Sequence, residues 1–404
     1  MIDRLESNLA IIEPKNGVKE KLALAEKEGR PLIVKLGFDP TAPNLHLGHA
    51  VVLRKLREFQ EAGHRVVVII GDFTASIGDP TGRNTQRPPL SREKIEESCE
   101  TYFSQLGLLL DIDKVEIRRN SEWLDSLGSR DFIQLLAKVT IAQILQREDF
   151  RKRFRSDLPI HTHEILYPIL QGYDSVVIGS DIELGGTDQL FNNMMGRTLQ
   201  YAFGQPGQSV IACPLLIGLD GSEKMSKSGT NSIWLLDSPI DMYGKVMSIS
   251  DDLITDYLRL VTTFDEGEQD ALRAALGSGQ NPMDVKKQIA ANIVEQFHSG
   301  SAAKEAGEHF ERTVQKNAPT ESDHTSVSIA TVRNSFPSGS ATLLEICDLV
   351  TTDKSRSELR RLIKGGGVKL DGEKVLDDRA VIEIAEGHTL WLGKREKFIF
   401  RAAD

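Results

Sequence analysis

The chain has 404 residues, with 49 Lys and Arg against 59 Asp and Glu and a formal charge of −10. That length leaves room for two or three domains with cores of their own, and the acidic balance excludes a globally basic nucleic-acid coat but not a local basic patch. No apolar run reaches the roughly 18 residues of a membrane-crossing helix. The opening Met-Ile-Asp-Arg-Leu-Glu lacks the basic and apolar regions of a signal peptide. Cys99, Cys213 and Cys347 are too scattered for a disulfide framework or a Cys-rich zinc site, which fits a reducing cytoplasm.

In chain order, residues 1–30 read as helix, with Leu5, Leu9, Ile12, Leu22 and Leu24 spaced among charges. Residues 31–36 read as a short strand, 37–41 as a turn, and 47–62 as a helix. The apolar run 65–71 suits a parallel strand buried on both faces and completes a βαβ unit. The runs 175–179 and 210–217 continue the strand alternation. Phe132, Leu135, Leu136, Val139, Ile144 and Leu145 recur at helical spacing over 131–146, followed by Arg147, Arg151, Lys152, Arg153 and Arg155. Two readings of that stretch stand side by side: a buried helix with a solvated basic end, or a dimer helix beside a nucleic-acid contact. The expected fold is α/β: a doubly wound, Rossmann-like parallel-sheet domain over 1–235, a helical domain over 236–318, a Ser/Thr/Pro-rich linker with little helix over 319–340, and a small α+β domain over 341–404.

Five segments carry chemistry. Pro40 to His49 lies where the first strand of a doubly wound sheet meets a helix amino end, which is the ligand crevice of such folds and favours phosphate. There His46 and His49 share a helix face, and Gly48 permits close approach of a flat base. Without a Walker-type sequence, this is no P-loop. Lys224-Met-Ser-Lys227-Ser228, flanked by glycines, makes a mobile cation clamp able to meet charge on a departing pyrophosphate. Asp79 can hold an ammonium group, with Arg83 and Arg87 able to reach phosphate. Tyr167, Gln171 and Asp174 fall on one helix face and can receive a small zwitterion with a polar tail. In Gly185-Gly186-Thr-Asp188-Gln189, Asp188 can bind ribose hydroxyls. Each segment alone also has an ordinary explanation as a cap, a turn or a solvated face.

Together, His-Leu-Gly-His followed by Lys-Met-Ser-Lys-Ser resembles the class I aminoacyl-tRNA synthetases. Gly37-Phe-Asp-Pro-Thr, Tyr167-x-x-x-Gln171-x-x-Asp174 and Gly186-Thr-Asp-Gln resemble the bacterial tyrosyl enzymes among them, and Val34-Lys-Leu-Gly-Phe-Asp-Pro-Thr resembles their second bacterial branch. The resemblance implies that tyrosine and ATP give tyrosyl-adenylate and pyrophosphate, after which tyrosine passes to the 3′ end of tRNA(Tyr). Asp174 would accept the phenol proton, with Tyr167, Gln171 and Asp79 around the α-ammonium. Thr41 and His46 would meet the γ-phosphate, and His49, Gly48 and Asp188 the adenosine. Lys224, Lys227 and Ser228 would form the mobile loop, and Arg83 and Arg87 a second cationic flap. Lys35 stands where the better-known branch carries a tyrosine that also touches the phenol, and no role is assigned to it.

Between 354 and 374 seven basic residues face three acidic ones, and Arg356, Arg360 and Lys364, with Arg361 beside them, lie along one helix stripe suited to phosphate. This tail is similar to an S4-like RNA-binding domain. The resemblance further implies a cytoplasmic homodimer, Mg²⁺ arriving with ATP as substrate, no tightly bound cofactor, no protein metal site and no membrane association. Tryptophanyl enzymes share the first two motifs and usually lack the tail. A nucleotidylyltransferase would have no use for the tail, and a non-enzymatic RNA-binding module no use for the lysine pair beside a nucleotide crevice.

Overall fold

A computed structural model describes residues 2–81, 91–227, 230–315, 324–336, 340–351, 354–393 and 396–402. The described chain falls into two compact units, Met1–Ser238 with Lys245–Phe297, and Pro239–Gly244 with His298–Asp404.

The first unit opens with α1 (Ile2–Glu6), β1 (Ile11–Glu13) and α2 (Gly17–Glu28). The single helix expected over 1–30 is therefore interrupted. Asn8 takes a left-handed φ of 55°, which ends α1, and the β-branched Ile11-Ile12 ahead of Glu13-Pro14 favours extended backbone. Then come β2 (Ile33–Phe38), α3 (Leu47–Glu61), β3 (Arg65–Ile70), α4 (Asp72–Ile77), α5 (Arg92–Leu106) and β4 (Val115–Arg119). Short helices α6 (Ser121–Leu124), α7 (Ser129–Leu136), α8 (Ile141–Ile144) and α9 (Glu148–Arg155) precede α10 (Thr162–Ile178), β5 (Ile182–Gly186), α11 (Leu190–Ala202) and β6 (Ser209–Cys213). The six strands run in the order β1-β6-β5-β2-β3-β4, parallel except for β1. The doubly wound α/β expectation holds. The strand order reverses between β2 and β5, which opens a crevice at their carboxyl ends.

Two local readings are corrected. Residues 175–178 are the last turn of α10, not a strand, and Gly179 ends the helix with φ 63°. A short Val-Val-Ile run has no period of its own and takes the conformation of the helix it closes. The 131–146 stretch is two short helices, because Thr140 caps α8 in a capping box with Gln143. Of the basic residues that follow, Arg147 and Arg153 are buried, the first on Asp149 and the second in a two-pronged bridge to Glu164 at 2.7 and 2.9 Å. They hold the unit together and are not part of a solvated end.

Helices α12 (Pro239–Met247), α13 (Ile254–Val261), α14 (Glu266–Gly277), α15 (Pro282–Phe297) and α16 (Gly300–Phe310) follow, so the stretch from 236 is helical. The packing divides it differently from the sequence-based boundary: α13 and α15 join the first unit, where Arg54 of α3 donates to the Thr262 carbonyl and Tyr257 Oη to the Ile217 carbonyl. In the second unit β7 (Thr325–Ser328) and α17 (Ile329–Ser335) occupy residues read as linker. The apolar Val327, Ile329 and Val332 decide this, since they pack in that unit's core. The rest comprises β8 (Ser340–Thr342), α18 (Leu343–Val350), α19 (Arg356–Lys364), β9 (Val368–Leu370), β10 (Glu373–Lys374), β11 (Val381–Glu383), β12 (Thr389–Leu392) and β13 (Glu396–Arg401). They form a five-stranded sheet, β10-β9-β12-β13-β7, and the pair β11-β8 around Leu343, Leu359, Ile363, Leu390 and Phe400.

Candidate active site

The crevice between β2 and β5 opens as a cleft of about 620 Å³. Thr41, His46, Gly48, His49, Asp79, Tyr167, Gln171, Asp174, Asp188, Lys224 and Lys227 all line it. Arg83, Arg87 and Ser228 lie outside the described residues.

Backbone pairing brings the distant motifs together. Leu47 N donates to the Ile233 carbonyl and Leu235 N to the Leu45 carbonyl, both at 2.9 Å, so the chain after the lysine loop runs alongside the start of α3. His46 caps α3: its Nδ1 accepts from Gly48 N, while His49 Nδ1 accepts from His46 N, both at 3.2 Å. Burial pushes His46 down to about 3 and His49 well below the usual imidazole range. Both rings are therefore neutral near pH 7, and with Nδ1 accepting, each carries its proton on Nε2 as a donor. A Cβ on Gly48 would stand 2.9 Å from His46 Nδ1, so glycine is what lets the capping ring lie flat there.

The lysines are engaged. Lys224 pairs with Asp188. Lys227 donates to the Asp39 carbonyl at 2.9 Å and lies beside the buried Tyr102 hydroxyl of α5, its ammonium 4.8 Å from the ring centre. Tyr102 escapes sequence reading, being an internal position of an ordinary amphipathic helix.

The side of the cleft around Tyr167 and Asp174 is acidic. Asp39 accepts from Tyr167 Oη and Thr74 Oγ1, each at 2.8 Å, and burial together with neighbouring Asp79 pushes it up to about 6. Asp79 accepts from Thr81 Oγ1 at 2.6 Å and Gln189 Nε2 at 2.9 Å. Asp174 is 3% exposed and accepts from Trp123 Nε1 at 2.9 Å and Asn120 Nδ2 at 3.4 Å. Burial pushes Asp174 up to about 7 against the pull of Lys35, Trp123 and Asn120. Asn120, Trp123 and Asp39 were not singled out as site residues. Asp39 lies inside the Gly37-Phe-Asp-Pro-Thr segment, and all three sit near the carboxyl ends of β2 and β4, where such sheets bind ligands.

The site combines a buried carboxylate able to read a polar aromatic tail, further carboxylates for an ammonium group, and neutral imidazole donors beside two lysines for a polyphosphate. The sequence pattern of the family described as tRNA synthetases class I (W and Y) matches residues 27–315. A tyrosine–tRNA ligase 2 of Photorhabdus laumondii subsp. laumondii is 56% identical over 98% of each chain. A tyrosine–tRNA ligase of Cupriavidus pinatubonensis is 49% identical over 93% of this chain and 89% of that one. In fold, the chain is similar to the tyrosyl-tRNA synthetase of Archaeoglobus fulgidus complexed with L-tyrosine, with a TM-score of 0.60 at 20% identity over 76% of this chain and 98% of that one. The chain therefore belongs to the class I tRNA synthetases of the tryptophan and tyrosine family, among its tyrosine–tRNA ligases.

Proposed function

We propose that this cleft carries both half-reactions of tyrosine–tRNA ligation, with the roles distributed as follows. The substrate phenol donates to Asp174, and Tyr167, Gln171 and Asp79 surround the α-ammonium. The tyrosine carboxylate attacks the α-phosphorus of ATP, and the bond to pyrophosphate breaks. His46 and His49 donate from Nε2, His46 and Thr41 on the phosphate side and His49 beside the adenosine. Gly48 admits the base, and Asp188 takes the ribose hydroxyls. Lys224 and Lys227, with Ser228, Arg83 and Arg87, meet charge gathering on the departing pyrophosphate. A terminal ribose hydroxyl of tRNA(Tyr) then attacks the adenylate carbonyl and AMP leaves. No side chain serves as a covalent nucleophile: catalysis is alignment and electrostatic stabilisation.

The observation that carries this reading is the convergence, in one crevice, of a buried carboxylate with the histidine pair and the lysine pair. Magnesium enters as the ATP complex. The triphosphate oxygens would supply its ligands.

The residues from 341 form the RNA-binding module, reading phosphate through α19, where Arg356, Arg360, Arg361 and Lys364 are all exposed. Arg356 and Arg360 rest on Asp348 and Asp378 and stay more than half exposed. The functional division is the one expected from sequence, with 1–235 catalytic and 236–318 helical on the anticodon side. A homodimer forms through the face that exposes Ile133, Ile141 and Phe154, at 65%, 58% and 67%. Three unpaired cysteines fit a cytoplasmic enzyme, and among the described residues no helix is long and apolar enough to cross a membrane.

ATP–pyrophosphate exchange measured separately with tyrosine, tryptophan and phenylalanine tests the core of the proposal. Exchange with tyrosine alone is expected. Exchange with tryptophan, or with none of the three, refutes it.

A further inference from the structure

Lys35 of β2 stands directly opposite Glu183 of β5 in parallel register, so both side chains rise on the same face of the sheet. Their side chains are 1% and 2% exposed, and Lys35 Nζ lies 2.9 Å from Glu183 Oε1. Lys35 also donates to Ser175 Oγ at 2.6 Å, and Ser175 Oγ donates to Glu183 Oε2 at 3.0 Å. Gln208 Nε2 completes the shell of Glu183. Taking such a pair out of water costs several kcal/mol, and an apolar pair would hold a sheet as well or better. A role beyond holding β2 to β5 is therefore called for.

The location supplies one. Glu183 lines the cleft, and Ser175 is the chain neighbour of Asp174 on α10. The direct partners of Asp174, Trp123 and Asn120, are neutral. The Lys35 ammonium offsets the burial of Asp174, while Glu183 acts weakly the other way.

We propose that Lys35 is a positioning residue of the tyrosine pocket, keeping Asp174 an ionised acceptor for the substrate phenol, and that Glu183 holds Lys35 in place and moderates its field. The inference rests on the reading of Asp174 as the phenol acceptor. It also gives Lys35 a task in discrimination. Phenylalanine strands a buried carboxylate at greater cost than a neutral acid, so the charge on Asp174 sets the preference for tyrosine.

The charged and titratable groups near Asp174 are Lys35 of β2 and Glu183 of β5, with Arg118 of β4 over the Trp123 ring, Asp72 of α4 on Ser121 and, along the cleft, Asp39, Asp79 and Tyr167. Asp39, pushed up to about 6, titrates below Asp174, and both histidines stay neutral above it.

The test is the KM for tyrosine in ATP–pyrophosphate exchange, measured from pH 6.5 to 8.5. Lys35→Met with Glu183→Gln removes both charges at nearly constant volume, so neither is left stranded. A rise of one pH unit in the Asp174 inflection gives about a fivefold higher KM at pH 7 and less than about a twofold change at pH 8.5. The preference for tyrosine over phenylalanine at pH 7 falls by at least the same factor. Lys35→Arg keeps the charge and stays within about twofold of wild type. Glu183→Gln alone moves the inflection to lower pH, the opposite direction, which a purely structural pair cannot do. A double variant with the wild-type profile, or with KM raised equally at every pH, overturns the proposal. If the double variant does not fold, a Glu183→Gln inflection that is unmoved or moved upward overturns it equally. Asp174→Asn in the same assay separates the premise: unchanged KM there removes Asp174 from the phenol, however the pair variants behave.

Discussion

Replacing Asp174 with asparagine sets stability against function in a way the structure allows to be worked through. The carboxylate is fixed by donors on both sides, Trp123 Nε1 at 2.9 Å and Asn120 Nδ2 at 3.4 Å. Asn120 cannot simply turn over, because its Oδ1 already accepts from Phe73 N at 3.0 Å and its Nδ2 donates to Thr74 Oγ1. An asparagine therefore directs its oxygen at Trp123 and its amide nitrogen toward Asn120 and the substrate. The phenol loses a charged acceptor and gains a neutral donor, a loss of about 1–2 kcal/mol, or about 5- to 30-fold in kcat/KM for tyrosine. The free protein should respond in the opposite sense. Burial raises Asp174 from 3.8 to about 7, so the wild type loses stability as pH rises from about 4 through 7, up to roughly 4 kcal/mol, and the asparagine variant is spared that loss. Less about 1 kcal/mol for the imperfect pairing with Asn120, the variant should melt well above wild type at pH 8 and by much less at pH 5. Ligand-free thermal melts at the two pH values and exchange kinetics with tyrosine measure both halves. A melting difference that is the same at pH 5 and pH 8, or an undiminished kcat/KM for tyrosine, refutes the placement of an ionised Asp174 beneath the phenol.

Three further outcomes follow from the same geometry. Lys227→Ala should lower kcat for adenylate formation by about 100-fold while the KM for tyrosine moves far less, because its charge is needed as pyrophosphate departs; equal losses in both parameters contradict that role. Tyr102→Phe removes the hydroxyl beside the Lys227 ammonium and keeps the ring. It should slow exchange several-fold in the wild-type background and have no effect in the Lys227→Ala background, so full additivity in the double-mutant cycle denies that Tyr102 acts through Lys227. Gly48→Ala would set a methyl 2.9 Å from His46 Nδ1 and displace the capping ring. The KM for ATP should rise about tenfold with tyrosine binding intact, as read by exchange at varied ATP and by tyrosine titration of the free enzyme.

Local chemistry was legible in the sequence. Thr41, His46, His49, Tyr167, Gln171, Asp174 and the two loop lysines sit in short segments that the doubly wound sheet carries to one edge, where they line a single cleft. Partnerships made across the chain were not. That Arg153 is an internal strut depends on Glu164, and that Lys35 can be buried depends on Glu183 and Ser175, which only the parallel register of β2 and β5 brings opposite it. The same limit applies to β7 and α17. Their Ser- and Thr-rich composition speaks for a linker, and what orders them is β13, far along the chain, pairing with β7 from Phe398↔Thr325 to Arg401↔Ser328. Where sequence reasoning went astray within one segment, a single residue decided: Asn8 at the end of α1, Thr140 capping α8, Gly179 closing α10.

The protonation states in the cleft bear on how it accelerates adenylate formation. In the roles proposed for them, neutral histidines would offer oriented N–H dipoles to ATP without adding full charges that would hold the ground-state triphosphate tightly. The full charges belong to Lys224 and Lys227, which rest on Asp188 and on the Asp39 carbonyl beside Tyr102. Asp188 is also the group proposed for the ribose, so on that proposal an entering nucleotide would compete with Lys224 for it and turn that lysine toward the phosphates. The proposed roles would then deliver charge to the reacting centre as the substrate arrives and concentrate stabilisation where negative charge grows on pyrophosphate, the condition under which binding raises kcat and does not merely lower KM.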